Sequence, residues 1–123
     1  MMRKKICVLE DDEGIREIIV MLLAEEDYEV RGFASVAEFM NNSGKPVADL
    51  FVLDIMLPDG NGIEVCSRLK KNKNTQHIPV LMMSANSSKM EVECSCNAQG
   101  FVAKPFDIYD LIDKVHLTIT SPC

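Results

Sequence analysis

Hydrophobic residues follow two alternating patterns along the chain. Short uninterrupted runs, among them Ile6–Leu9, Leu50–Leu53 and Pro79–Met83, are typical of strands that are buried on both faces of a sheet. Between these runs, apolar residues recur every three or four positions, which is the spacing of one face of an α-helix. The pattern predicts a chain in which strands alternate with helices.

Two further strands complete the predicted set. Tyr28–Phe33 alternates apolar and charged residues, which predicts a shorter strand nearer the edge of a sheet, and Gly100–Ala103 predicts the last strand. Connections between the strands are too long for hairpins, so right-handed βαβ crossovers are expected. We therefore predict one α/β domain over residues 1–123, with a five-stranded parallel sheet covered by helices on both faces in a three-layer, doubly wound fold.

Four amphipathic helices are predicted, at about 13–26, after Ser35, at about 62–71 and from about Asp107 onward. Ser35 and Glu38 form a capping-box signature at the start of the second helix, which is short. The predicted buried faces are Ile15, Ile18, Ile19, Leu22 and Leu23; Val36, Phe39 and Met40; Val65, Cys66 and Leu69; and Ile108, Leu111, Ile112, Val115 and Ile119.

Polar residues directly follow four of the predicted strands. In a doubly wound fold the carboxyl ends of the parallel strands lie at one edge of the sheet, and ligands bind there. Residues after the first, third, fourth and fifth strands should therefore meet in space. They are Glu10–Glu13, Asp54, Ser84–Ala85 and Lys104–Pro105.

This group of residues has the chemistry of a phosphoryl-transfer site. Glu10, Asp11 and Asp54 would repel one another if brought together, and Mg²⁺ (or Mn²⁺) would relieve the repulsion while keeping positions for water and phosphate oxygens. Lys104 can pair with Asp54 or with a bound anion, and the Ser84 hydroxyl can donate to the same anion. With Asp54 as nucleophile, these are the parts that such a reaction needs.

Each of these residues also has a simpler structural interpretation. Asp12 and Glu13 favour the positive N-terminus of the following helix, and we leave them out of the metal set. Asp54 fits a turn, Ser84 a cap, and Lys104 a counter-ion. These interpretations do not explain why all four groups follow strands whose ends converge.

Composition narrows the classes of function. The net charge of −6, with scattered basic residues, argues against a nucleic-acid interface on this domain. No apolar run approaches the roughly 18 residues that span a bilayer, and the run after Met1–Lys5 is too short for a signal peptide, so we expect no membrane contact and a cytoplasmic location. The five cysteines lack metal or redox spacing and are expected to be reduced thiols.

Four motifs in the right order resemble the receiver domain of two-component response regulators, over essentially the whole chain. They are Glu10–Asp11, Asp54 with Met56–Pro58 and Gly62, Ser84–Ala85, and Lys104–Phe106. The resemblance implies a flavodoxin-like (βα)5 fold with strand order 2-1-3-4-5. It is compatible with a stand-alone, chemotaxis-type regulator and with the N-terminal domain of a longer one.

The resemblance also implies roles for the acidic residues. Asp54 would accept a phosphoryl group from the phosphohistidine of a sensor histidine kinase or phosphotransfer protein. Asp11 would bind Mg²⁺ directly, Glu10 would bind it through water, and the backbone carbonyl of Met56 would supply another ligand. The chain would then catalyse its own phosphorylation and dephosphorylation rather than act as a conventional turnover enzyme.

Further roles follow from the same resemblance. Ser84 and Lys104 would bind the phosphoryl group, and the Lys104–Pro105 peptide bond would be cis. Phe101 occupies the position of the switch aromatic; as it has no hydroxyl, its switch would work through packing alone. The switch would change binding to a downstream protein, and we expect a monomer or a weak, phosphorylation-dependent dimer.

Two features depart from the family pattern or adjust it. Residues 86–97, where a helix is expected, are shorter than usual and carry weak helix formers, so we predict a short, distorted or mobile segment there. Met56 and Asn86 stand two residues after Asp54 and Ser84, at positions that the resemblance implies would tune dephosphorylation. Because Met56 offers an attacking water no hydrogen bond, we expect a long phosphoryl lifetime.

Three other functions fit parts of the pattern. A flavodoxin-like FMN carrier needs a phosphate loop after the first strand, where this chain has four acids. A phosphatase of the haloacid-dehalogenase type needs an Asp-x-Asp at the end of its first strand, whereas the sequence at Asp54 is Asp-Ile-Met. The strongest alternative is a pseudo-receiver, a protein-interaction module that keeps the site without being phosphorylated.

Overall fold

The computed structural model describes residues 3–42, 48–84, 98–104 and 106–120. In chain order these ranges contain β1 (Lys5–Leu9), α1 (Glu13–Glu25), β2 (Glu29–Phe33), α2 (Val36–Asn42), β3 (Leu50–Asp54), β4 (Met56–Leu57), β5 (Gly60–Asn61), α3 (Gly62–Lys71), β6 (Val80–Ser84), β7 (Gly100–Ala103) and α4 (Ile108–Ile119). The predicted strands and the four predicted helices are confirmed, with bounds that differ by a residue or two.

Five strands form one parallel sheet in the order β2-β1-β3-β6-β7. The short strands β4 and β5 pair with each other in an antiparallel hairpin after β3. When this hairpin is left out, the order is 2-1-3-4-5, as predicted. The chain runs outward from β1 to β2 and then returns to β3, so the strand order reverses beside β1 and leaves a crevice at its carboxyl end.

Residues of each strand alternate between two separate cores. Ile6 and Val8 of β1 pack on one face of the sheet, together with α1 and α4 residues such as Ile19 and Leu111. The intervening residues of β1 face the other core, which contains Phe39 of α2 and the buried face of α3. Because successive side chains of a strand point to opposite faces, this alternation also sets the direction of the residues that follow each strand.

Two predicted core positions are wrong. Ile18 of α1 is 46% exposed and Ile108 of α4 is 45% exposed. In α1 and α4, the residues that pack fully on the sheet form a narrower stripe than the apolar pattern suggested, and Ile19 and Leu23, one turn apart, form that stripe in α1. None of the described helices is long and apolar enough to cross a bilayer.

Only some of the cysteines and loop residues for which we made predictions lie within the described ranges. Cys7 and Cys66 are buried, and burial raises the pKa of the Cys7 thiol, as expected for inert thiols. Cys94, Cys96 and Cys123 lie outside the described residues. The same holds for residues 86–97, with Asn86, and for Pro105, so the predictions about that segment and the Lys104–Pro105 peptide remain predictions.

A side chain from the loop after β3 caps a distant helix. Asp59 accepts hydrogen bonds from the backbone N–H groups of Val36 (2.8 Å) and Ala37 (3.0 Å), the first residues of α2. Gly60 lies so close to Val36 that a Cβ atom would be 2.9 Å from Val36 Cγ2. The loop is thereby tied to the start of α2. At the start of the helix itself, Ser35 Oγ accepts from the N–H of Glu38 (3.1 Å), which agrees with the predicted N-cap.

We expect Asp59→Asn to lower the urea midpoint of unfolding at pH 7. The Val36 and Ala37 N–H groups hold the pKa of Asp59 below its ordinary value of 3.8, so its stabilising effect is complete above that pH and is lost as the pH falls through the folded-state pKa. The difference between variant and wild type should therefore shrink below about pH 4. Asp113→Asn, at an exposed position of α4, is the control; an equal loss in both variants would contradict the assignment.

Gly62 allows the start of α3 to lie against the end of β3. A Cβ atom at this position would be 2.1 Å from the carbonyl oxygen of Asp54, and the Gly62 N–H donates to the carbonyl of Ile55 (2.9 Å). We expect Gly62→Ala to lower the free energy of unfolding by about 3 kcal/mol, because backbone atoms would have to move.

Gly14 provides the matched control for this prediction. It also lies in the first turn of a helix, but a Cβ atom there would meet only the Asp12 side chain, at an ordinary 3.4 Å. Gly14→Ala should stabilise α1 by up to about 1 kcal/mol. Similar effects of the two substitutions in urea unfolding would show that the close approach at Gly62 is not what requires glycine there.

Candidate functional site

The alternation of the strands gathers three charged residues on one face of the sheet. Val8 of β1 is the register partner of Val52 of β3, and both belong to the core under α1 and α4. Glu10 and Asp54 each follow two positions later and so point to the same side. Lys104 has the same relation to Val102 of β7. The predicted convergence of these strand ends is confirmed.

Three carboxylates form a tight cluster at this edge. One oxygen each from Glu10, Asp11 and Asp54 lie within 4.8 Å of one another. Glu10 is fully buried and Asp54 is 4% exposed, whereas Asp11 is exposed to solvent. Two of the three acids are thus removed from water. Burying an ionised carboxylate is costly unless a cation balances its charge.

Lys104 is the cation that contacts both buried acids. Its Nζ atom forms an ion pair with Glu10 and lies 3.1 Å from Asp54 Oδ2. The position of Lys104 follows from the sheet, because its backbone N–H donates to the carbonyl of Ser84 (2.8 Å). Burial by itself would lower the pKa of Lys104, but hydrogen bonds to Glu10 and Asp54 outweigh burial and raise it.

One lysine does not fully balance the cluster. Burial, with a smaller contribution from Asp54, raises the pKa of Glu10 to about 7, although the hydrogen bonds from Lys104 and from the Asp12 N–H act to lower it. The excess negative charge and the closely spaced carboxylate oxygens fit a hard divalent cation, which binds few carboxylates and retains water ligands. The donor set therefore fits Mg²⁺ or Mn²⁺.

An open cavity of about 670 Å³ adjoins the cluster. Beside the acids and Lys104, its walls include four apolar side chains, Ile15, Ile18, Met56 and Phe106. Ile18, predicted to be a core residue, thus lines the site cavity. Met56 is 70% exposed, and its two-residue strand β4 pairs with Asn61 and Gly60 of β5. Reactants have room to approach the carboxylates across an apolar rim.

The turn from β1 to α1 is held by several hydrogen bonds. Asp12 accepts from the N–H of Ile15 (3.0 Å) as the N-cap of α1, and its own N–H donates to Glu10 Oε2 (3.1 Å). Arg16, which was not predicted to take part, donates to the carbonyl of Glu10 (2.9 Å). Its position four residues after the cap, on the same side of the helix, is the sequence signal that could have indicated this contact.

Ser84 and Phe101 follow the opposite alternation. Ser84 is 2% exposed, ends β6, and lies two positions after Met82, which belongs to the core under α2 and α3. Phe101 is the register partner of Met82 and is 7% exposed in that same core. Their predicted parts in phosphoryl binding and switching remain predictions.

Comparisons with known proteins identify relatives over most of the chain. The response regulator receiver domain model matches residues 6–116. A probable transcriptional regulatory protein of Picosynechococcus sp. is 36% identical over 121 residues, which cover 91% of this chain and 47% of that protein. The phosphate regulon transcriptional regulatory protein PhoB of Escherichia coli is 29% identical over 116 residues, which cover 93% of this chain and 51% of PhoB.

The chain thus spans about half the length of these curated relatives. Among solved structures, a putative response regulator from Chloroflexus aurantiacus superposes with a TM-score of 0.90 at 25% identity, covering 98% of this chain and 100% of that one. With the family model matching nearly the whole sheet and the site lying at its carboxyl edge, the chain belongs to the response regulator receiver domain family.

Proposed function

We propose that residues 1–123 form a single receiver domain that accepts a phosphoryl group on Asp54 from the phosphohistidine of a sensor kinase or phosphotransfer protein. The observation that carries the proposal is the cluster of Glu10, Asp11 and Asp54 with Lys104 beside it. A nucleophilic carboxylate, a cation site and a fixed positive charge at one edge of a sheet supply the parts that phosphoryl transfer requires.

The acids and one backbone carbonyl would hold the metal ion. The side chains of Asp11 and Asp54, with Glu10 acting through water, and the carbonyl of Met56 are the assigned ligands. Bound Mg²⁺ or Mn²⁺ would neutralise charge on the phosphoryl oxygens. Exposed Asp11 borders the cavity, so it is well placed to exchange solvent for a ligand.

The chemical step is a displacement at phosphorus. A carboxylate oxygen of Asp54 forms the new O–P bond as the P–N bond of the phosphohistidine breaks, and the leaving imidazole nitrogen retains the electron pair and takes up a proton. Lys104, now paired with both buried acids, would turn its charge toward the phosphoryl oxygens. The Ser84 hydroxyl would donate a hydrogen bond to the same group.

The output would be a change in protein binding. Phe101 packs beside β6, so movement of Ser84 toward a phosphoryl group would change the space available to its ring. The Escherichia coli relative is named as a transcriptional regulator; for this domain we propose control of a protein partner, since its charge of −6 disfavours contact with phosphates of nucleic acid. The apolar Met56 would slow hydrolysis of the phosphoryl group.

Intact-mass measurement with a small phosphodonor and MgCl₂ tests the phosphoacceptor. We expect wild type to gain one phosphoryl group and Asp113→Asn to behave like wild type. Asp54→Asn should gain none, because an amide replaces the nucleophilic carboxylate. A gain that persists in Asp54→Asn would place the acceptor elsewhere. An unmodified wild type would favour the pseudo-receiver.

Replacing Lys104 tests whether its charge balances the acids. In metal-free buffer, we expect Lys104→Met to lose about 3 kcal/mol of unfolding free energy, because Glu10 and Asp54 stay buried without the cation that both contact, and Glu10 must then remain unpaired or take up a proton. Saturating MgCl₂ should restore more stability to this variant than to wild type, since the ion replaces the missing cation.

Lys114→Met is the control for this measurement. Lys114 forms an exposed ion pair with Asp110 (3.7 Å) one turn away on α4, and such pairs contribute less than about 1 kcal/mol. Urea unfolding with and without MgCl₂ compares the three proteins. Equal losses in both lysine variants, or equal gains from MgCl₂ in all three proteins, would contradict the assignment.

A further inference from the structure

Arg16 connects the first turns of α1 to the loop that carries two of the acids. Its backbone N–H donates to the carbonyl of Asp12 (2.9 Å) inside the helix. Its guanidinium Nη1 lies 2.9 Å from the carbonyl oxygen of Glu10 and 3.5 Å from that of Asp11. The side chain therefore runs back toward the helix N-terminus and bridges two consecutive peptide groups of the loop.

The acceptors of Arg16 are backbone carbonyls, and this distinguishes it from Lys104. Lys104 contacts carboxylate oxygens of Glu10 and Asp54, which a metal ion would also need. The bonds made by Arg16 do not use the carboxylate oxygens of Glu10 and Asp11. Arg16 lies in a separate depression of about 370 Å³, formed with Glu17, Val20, Met21 and Gly32, rather than in the cavity beside the acids.

Gly32 of β2 makes room for the stem of Arg16. A Cβ atom at Gly32 would be 3.1 Å from both Cγ and Cδ of Arg16, closer than an unstrained contact. None of the described glycines has a positive φ, so the backbone at this position does not itself require glycine. The missing side chain therefore allows the arginine to take the path that leads to the Glu10 carbonyl.

We propose that Arg16 is a positioning residue, which fixes the backbone of Glu10 and Asp11 so that their carboxylates are held in place for the divalent cation. The effect on the cation rests on the proposed function, whereas the fixing of the loop rests on the contacts of Arg16 with the two carbonyls. Arg16 acts through the loop and touches neither the cation nor the phosphoryl group. Gly32 supports this role by leaving space for the aliphatic stem of Arg16.

The test compares Arg16→Ala with Arg68→Ala, an exposed arginine of α3, because both substitutions remove one positive charge from a helix. Mn²⁺ binding to the unphosphorylated proteins is titrated by electron paramagnetic resonance in 1 M KCl, where the Debye length of about 3 Å suppresses direct repulsion between the arginine and the ion. We expect Arg16→Ala to weaken Mn²⁺ binding about tenfold and Arg68→Ala to leave it unchanged.

A second measurement needs no metal. Hydrogen exchange of the Asp12 amide, which bonds to Glu10 Oε2, is followed by NMR in metal-free buffer relative to that of Val52 in the central strand. We expect faster relative exchange at Asp12 in Arg16→Ala but not in Arg68→Ala. Arg16→Lys keeps the charge with a single donor group and should fall between Arg16→Ala and wild type in both measurements.

Gly32→Ala tests the path of the side chain independently. It should weaken Mn²⁺ binding in the wild-type background and have no further effect in the Arg16→Ala background, since the crowded stem is then absent. An equal effect in both backgrounds would overturn the role given to Gly32.

The two measurements separate this inference from the proposed function. Unchanged exchange at Asp12 in Arg16→Ala, or unchanged Mn²⁺ affinity together with a lower urea midpoint, would overturn the positioning role and leave only a structural one. If the wild-type protein binds no Mn²⁺, the proposed cation site fails. The exchange at Asp12 then still decides whether Arg16 fixes the loop.

Discussion

Two buried carboxylates that share one lysine are the constraint on which the rest of this structure depends. Glu10 and Asp54 are almost fully excluded from water, and Lys104 contacts both. An ion pair in such surroundings is stable only when its geometry is fixed, because each charge has lost its hydration. The surrounding elements can be understood as the means of fixing it: parallel strands whose ends meet, and hydrophobic cores on both faces that hold those strands in register.

Three contacts outside the sheet keep the loops around the acids in place. Gly62 allows α3 to begin against the carbonyl of Asp54, and Asp59 ties the same loop to the first residues of α2. On the other side, Arg16 bonds to the backbone of the β1–α1 turn. None of these three contacts uses a carboxylate oxygen of the acidic cluster, so they fix the loops without competing with a ligand for those oxygens. The proposed binding of a cation and a phosphoryl group needs loops that are held rigidly in this way.

The two cationic side chains near the acids have different physical roles. The Lys104 ammonium lies on the carboxylates and balances part of their charge, so a divalent cation or a phosphoryl group would change what it contacts. The Arg16 guanidinium bonds to carbonyls and would keep its partners in either state. One cation is thus placed to respond to the chemistry, and the other to preserve the geometry in which the chemistry occurs. On the opposite face of the sheet, Phe101 lies beside Met82 in β6. A movement at the end of that strand would therefore alter the packing around the Phe101 ring.

The hydrophobic pattern determined the succession of strands and helices along the chain, the parallel sheet and the meeting of Glu10, Asp54 and Lys104. Each follows from the alternation within a strand and from the common direction of parallel strands, which brings their carboxyl ends to one edge. It did not determine which apolar helix positions are covered: Ile18 and Ile108 fit the helical stripe, yet the sheet leaves them exposed. The spacing of Arg16 from the cap at Asp12 was visible in the sequence, but the choice of backbone carbonyls as its acceptors was not. The hydrogen bonds of Asp59 to α2 leave little mark in the sequence. They depend on how far apart folded segments come to lie, and that distance is set by packing between elements rather than by the spacing of residues within one element.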